Sequence, residues 1–147
     1  MIRILVVDDH EGVRSGLRAL LSTCSDFEVV GEAEDGLSGV ALACERRPDL
    51  VLMDLSMPLI DGAHATRRLL AKDRGTRVLV LTAGFSDRAS VPDAIDAGAL
   101  GCVLKDAEPA EMFGAIRAAA AGRPAGRALW GRPGARGDWA GADPCAR

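Results

Sequence analysis

The sequence predicts an α/β domain built on a doubly wound, five-stranded parallel sheet. Two observations carry this. Residues 4–7, 50–53, 78–81 and 102–104 are short continuous apolar runs rich in Val and Leu, as in strands buried on both faces. Segments of helical spacing separate them, so the strands should run parallel through helical crossovers. A third observation concerns the ends of these runs. They stop at Asp8-Asp9, Asp54, Thr82 and Lys105. Parallel strands bring their C-terminal ends to one edge, where open α/β sheets bind ligands.

The first strand is expected at residues 2–7 and the first helix at 10–23, with Val13, Leu17, Leu20 and Leu21 on one face. Ser25-Asp26 breaks that helix, and residues 27–33 read as the second strand. Glu34-Asp35-Gly36 opens a second helix, expected to turn Leu37, Val40, Ala41 and Cys44 inward and to stop before Pro48. The third strand falls at 49–54. A loop through Ser56 to Ile60 follows, then a third helix from Asp61-Gly62 to Lys72. The fourth strand is expected at 77–82. Ser90-Val91-Pro92-Asp93 has the form of a helix cap, placing the fourth helix at 91–97 before Gly98. Residues 101–105 give the fifth strand. Pro109 starts a fifth helix with Met112, Phe113, Ile116 and Ala119/Ala120 as its inner stripe, ended by Gly122. Right-handed crossovers in an open sheet favour the strand order 2-1-3-4-5.

The composition bounds the function. A chain of 147 residues can bury one real core, and an apolar fraction of 48% is that of a soluble domain. No apolar run is long enough to cross a membrane, and none resembles a secretory signal, so a cytoplasmic location is expected. The four cysteines form no CxxC pair, and His10 and His64 lie at no zinc-like spacing from them. Cys24, Cys44 and Cys102 therefore read as small buried hydrophobes. Residues 1–121 carry 13 basic and 19 acidic side chains, a net charge of −6, which disfavours nucleic-acid binding. Residues 122–147 are mostly Gly, Ala, Arg and Pro with a net charge of +3. They show no helical or strand period, and the expectation is a disordered tail after a domain at 1–121.

Three carboxylates, a hydroxyl and an ammonium at one sheet edge suit a hard cation and a phosphoryl group. Magnesium takes oxygen ligands. Asp9 and Asp54 can ligate it, Asp8 can hold one of its waters, and a main-chain carbonyl near Ser56 can add a ligand. Asp54, at the central strand, is the candidate nucleophile for an aspartyl phosphate. Lys105 would meet the phosphoryl oxygens as a point charge, and Thr82 could donate a hydrogen bond to them. Each residue alone is ambiguous; Asp9, for example, could equally cap the first helix.

Asp8-Asp9, Asp54, Met57-Pro58-x-x-Asp61-Gly62, Thr82-Ala83 and Lys105 together resemble the receiver domain of bacterial two-component response regulators, over about residues 2–121. Val6-Val7-Asp8-Asp9-His10, Ala97-Gly98-Ala99 and Leu104-Lys105-Asp106 resemble its NarL/FixJ-type branch. The resemblance implies a flavodoxin-like (CheY-like) fold, whose strand order is the one given above. It implies that Asp54 accepts a phosphoryl group from a sensor histidine kinase with Mg²⁺ bound. It also implies a change of shape in the fourth helix, fifth strand and fifth helix. Two departures stand out. The family's aromatic residue three positions before the lysine is replaced by Cys102. The helix-turn-helix domain usual in that branch has no counterpart in the pattern of residues 122–147.

Two readings stay open on these grounds. One is a phosphorylation-dependent switch that acts through protein contacts, as a homodimer or with a partner across the face from the fourth to the fifth helix. On that face Ala115, Ala118 and Ala119 offer small side chains, and no sequence-specific DNA binding is expected. The other is a truncated or frameshifted fragment of a DNA-binding regulator, since GC-rich DNA read out of frame gives such a Gly/Ala/Arg/Pro tail. An aspartyl-phosphate enzyme is a third reading. Ser56 stands where such enzymes carry a second Asp, so only self-phosphorylation and slow self-dephosphorylation are expected.

Overall fold

The computed structural model describes residues 1–84 and 90–126. Five strands and five helices alternate in the expected order: β1 (Ile2–Val7), α1 (Glu11–Leu21), β2 (Phe27–Ala33), α2 (Gly36–Arg46), β3 (Leu50–Asp54), α3 (Gly62–Lys72), β4 (Val78–Thr82), α4 (Val91–Ala97), β5 (Gly101–Leu104) and α5 (Pro109–Ala120). All pairings are parallel and the order is β2-β1-β3-β4-β5, as the crossover rules require. The side chains of β3 and β4 are buried throughout, which explains why these strands read as unbroken apolar runs. Two cores result. Val7, Val51, Met53 and Val80 face α2, α3 and α4, whereas Ile4, Val6, Leu52 and Leu81 face α1 and α5.

A sixth strand was not foreseen. Ala125–Gly126, here β6, pairs in parallel with Gly101 and Cys102 of β5. The chain turns at Gly122, whose φ of 79° lies in the left-handed region, and Arg123 returns its amide to the Ala118 carbonyl. The Ala125 amide then reaches the Leu100 carbonyl. Ala125 packs into the core, so the sheet extends at least five residues past the expected boundary at 121. Two residues carry too little pattern for a sequence reading to detect. Gly101 permits the approach, since a Cβ there would lie 1.7 Å from the Ala125 carbonyl oxygen. The expected disorder of residues 127–147 lies outside the described residues.

Several finer expectations are corrected. Helix α1 runs Glu11–Leu21, because Ser22 and Thr23 turn their hydroxyls back onto Ala19 and Leu20 carbonyls. The inner stripe of α2 is Gly36, Gly39, Val40 and Ala43, with Ala41 and Cys44 exposed and Leu37 42% exposed. Glycine lets the helix lie close: a Cβ on Gly39 would meet the Val7 side chain at 2.9 Å. Of the three cysteines expected inside, only Cys102 is buried; Cys24 is half-buried. Helix α4 has the expected bounds, but the Ser90 side chain makes no cap hydrogen bond. In α5, Ala115 and Ala119 belong to the core, whereas Ala118 is half-buried and Phe113 only partly covered. The small residues lining its outer groove are Ala110, Gly114, Ala115, Ala118 and Ala125, so the expected Ala115 and Ala118 are among them and Ala119 is not.

Candidate functional site

The site forms where β1, β3 and β4 end together. Register places Val7 beside Met53 and Asp54 beside Leu81, so Asp8, Asp54 and Thr82 emerge at neighbouring points of one edge. All three are fully buried. Asp8 is held by its own backbone. Its amide donates to the Ala33 carbonyl, and Arg14 donates to the Asp8 carbonyl at 2.6 Å. Gly62 brings α3 against the back of the site. A Cβ there would stand 2.3 Å from the Asp54 carbonyl oxygen, so no side chain fits. Asp61 caps α3 by accepting from the His64 amide.

Lys105 Nζ lies 3.0 Å from Asp8 Oδ2 and 3.0 Å from Asp54 Oδ1. The Ser56 amide donates to Asp54 Oδ1 at 3.3 Å, and the His10 amide to Asp8 Oδ1 at 2.8 Å. Asp54 Oδ2 and Asp9 Oδ1 are buried without a hydrogen-bond partner, and Asp8 Oδ2 has the ammonium beside it but no well-directed hydrogen bond. Burial pushes the Asp54 carboxyl up to about 6, the Asp8 charge adds to this, and Lys105 and the Ser56 amide oppose it. Burial alone would lower Lys105; its two carboxylate partners outweigh that and raise it.

The expected residues Asp8, Asp9, Asp54 and Lys105 therefore converge. Ser56 is seen there through its amide. Thr82 stands at the edge, but its hydroxyl accepts from the Gly84 amide at 3.1 Å and faces the Gly84 carbonyl at 3.4 Å. Asp9 is not the cap of α1. His10 occupies that position, without a side-chain cap bond. The sequence reading missed His10 itself. One ligand atom each from Asp8, Asp9, His10 and Asp54 lie within 4.8 Å of one another. Its place directly after the two aspartates was the available signal. The two carboxylate oxygens that lack partners fit a hard cation, which would supply the missing positive charge.

A model of the response regulator receiver domain matches residues 4–117. This chain belongs to the response regulator receiver family. The receiver is 48% identical over 124 residues to the transcriptional regulatory protein LiaR of Bacillus subtilis (strain 168), covering 84% of this chain and 58% of LiaR. It is 43% identical over 116 residues to the response regulator VraR of Staphylococcus aureus (strain NCTC 8325 / PS 47), covering 79% and 55%. It thus spans a little over half the length of these relatives. A LuxR-family response regulator from Aurantimonas sp. SI85-9A1 superposes with a TM-score of 0.79 at 41% identity, over 85% of this receiver and 89% of that chain. The receiver domain of NarL from Mycobacterium tuberculosis does so with a TM-score of 0.77 at 37% identity, over 83% and 98%. Fold and two-component membership are thereby as expected. Among the described residues no helix is long and apolar enough to cross a membrane.

Proposed function

We propose that this receiver is a phosphorylation-dependent signalling switch whose phosphoacceptor is Asp54. The observation that carries the reading is the bare Oδ2 of Asp54, fully buried beside Asp8, Asp9 and Lys105. Asp9 and Asp54 would hold Mg²⁺ directly, Asp8 would orient its water, and the Ser56 main-chain carbonyl would complete the set. Held by these residues, the ion would offset the carboxylate charge and that of the incoming phosphoryl group.

An Asp54 oxygen attacks phosphorus, and the bond to the leaving group breaks. That group is a histidine nitrogen of a sensor kinase, or the carboxylate of a small acyl phosphate. An acyl phosphate forms on Asp54, and water later cleaves it. Lys105 transfers part of its attraction from the Asp54 carboxylate to the new phosphoryl oxygens. The Thr82 hydroxyl leaves Gly84 to donate to the same group, and this movement starts the change in the α4-to-α5 face. With buried Cys102 in place of an aromatic residue, the movement passes to Val91 and Ala94, which share its core. Positioning and charge neutralisation suffice for such a transfer.

Incubation with acetyl phosphate and Mg²⁺ should add one phosphoryl mass, and Asp54→Asn should abolish the gain. An undiminished gain in that variant would move the site elsewhere. A second reading, a receiver within a transcriptional regulator, is favoured by the likeness to LiaR, a transcriptional regulatory protein. The encoding DNA beyond codon 121, searched in all frames for a helix-turn-helix, separates the two. For residues 1–126 alone, a mobility shift at physiological salt should show no complex that survives excess competitor DNA.

A further inference from the structure

His10 stands beside the ion pair of the site with no role in the reading above. Its side chain is 66% exposed, yet its Nδ1 lies 3.1 Å from Asp9 Oδ1 and 3.3 Å from Asp8 Oδ1. The bland account is a hydrogen bond from Nδ1 to Asp8 Oδ1. That account leaves Asp9 Oδ1 buried and unpartnered, although the imidazole nitrogen is next to it. The two atoms stand side by side rather than in donor-to-acceptor line. Neighbouring ligands of an octahedral ion with bonds of about 2.1 Å are roughly 3 Å apart. The spacing of Nδ1 and Asp9 Oδ1 is that of two adjacent ligands. Asp54, whose Oδ2 is fully buried and unpartnered, belongs to the same cluster of residues.

We infer that His10 Nδ1 is an additional metal ligand, which turns an all-oxygen site into a mixed nitrogen and oxygen site selective for first-row transition ions over Mg²⁺. The inference rests on the cation site described under the proposed function. Imidazole suits intermediate ions such as Mn²⁺, Co²⁺ and Ni²⁺, whereas Mg²⁺ prefers oxygen and gains little from it. Ligation needs the Nδ1 lone pair. The Nδ1 contact to Asp8 fixes no tautomer, and the tautomer with its hydrogen on Nε2 presents that lone pair to an ion. His10 is the first residue after the aspartate pair and stands at the N-cap position of α1, so its backbone is already fixed by the hydrogen bond that its amide donates to Asp8 Oδ1. Only the side-chain torsions remain to be ordered.

Mn²⁺ is the probe. The chain has two histidines, and His64 lies exposed on α3 next to Arg68. Pulsed electron paramagnetic resonance of the Mn²⁺-loaded full chain should show directly coordinated imidazole nitrogen. The coupling should vanish in His10→Ala and persist in His64→Ala. Mn²⁺ affinity should fall about tenfold in His10→Ala, while Mg²⁺ affinity, read by competition, stays within about twofold. Bound Mn²⁺ without nitrogen coupling, or coupling that survives in His10→Ala, overturns the inference and leaves the oxygen site intact. Mn²⁺ binding that is absent, or unchanged in Asp9→Ala, overturns the cation site itself and this inference with it.

Discussion

Without divalent cations, Asp54→Asn should raise the melting temperature at neutral pH. Burial is the main reason. It lifts the carboxyl from its ordinary 3.8 to about 6, because the folded chain offers the charged form no water and only a shared ammonium. A group with a raised folded-state pKa contributes stability that is fully present below its unfolded value and lost as pH rises through its folded value. The metal-free wild type should therefore lose stability between about pH 4 and pH 7, by at most about 3 kcal/mol. The Asn variant has no such proton to lose. The two melting curves should coincide near pH 4 and separate above it, with the variant higher. Millimolar Mg²⁺ should reverse the ranking, since only the wild type can use the ion as a ligand-linked stabiliser. Parallel curves at all pH values would mean that Asp54 is ionised at little cost, and that its burial is unimportant to the empty site.

The parts of this fold legible in the sequence are those fixed by a strong period. Strands β1, β3 and β4 are buried on both faces and read as apolar runs, and their polar ends located Asp8, Asp54 and Thr82 without further help. Helix faces were legible only where side chains do the packing. In α1 the Leu17 and Leu21 stripe held. In α2 the contact is made by Gly36 and Gly39, which a hydrophobic pattern cannot register, so the reading rotated the helix toward Leu37 and Cys44. The same blindness hid β6. Its partner is backbone, its key residue is Gly101, and its two residues lie in a stretch whose composition resembles a linker. His10 was missed for a different reason. Its partners are its own neighbours in sequence, and only the turn after β1 folds its ring back beside Asp9.

Lys105→Met should destabilise the metal-free protein and tighten its hold on Mg²⁺. The ammonium is 3.0 Å from one oxygen of each buried carboxylate, Asp8 and Asp54, and is the only cation paired with either among the described ion pairs, the exposed His10 apart. Removing one partner of a buried ion pair leaves charge without compensation, at a cost of about 3 kcal/mol. Protonation of Asp54 limits that cost, since its carboxyl already sits near 6 and would rise further without Lys105. The variant should thus lose most stability at alkaline pH and least near pH 5. Mg²⁺ then enters a site with no competing ammonium. Its affinity should rise about tenfold, and the gap in melting temperature measured in EDTA should shrink as Mg²⁺ is added. Phosphorylation by acetyl phosphate should nevertheless slow, because the point charge for the phosphoryl oxygens is gone. Pairing the substitution with Asp54→Asn should cost less than the sum of the two single changes, as the two side chains touch. Thermal melts with and without Mg²⁺, and calorimetric titration, check each part. Wild-type stability in EDTA together with unchanged Mg²⁺ affinity would show that the ammonium is not the counterion of the empty site.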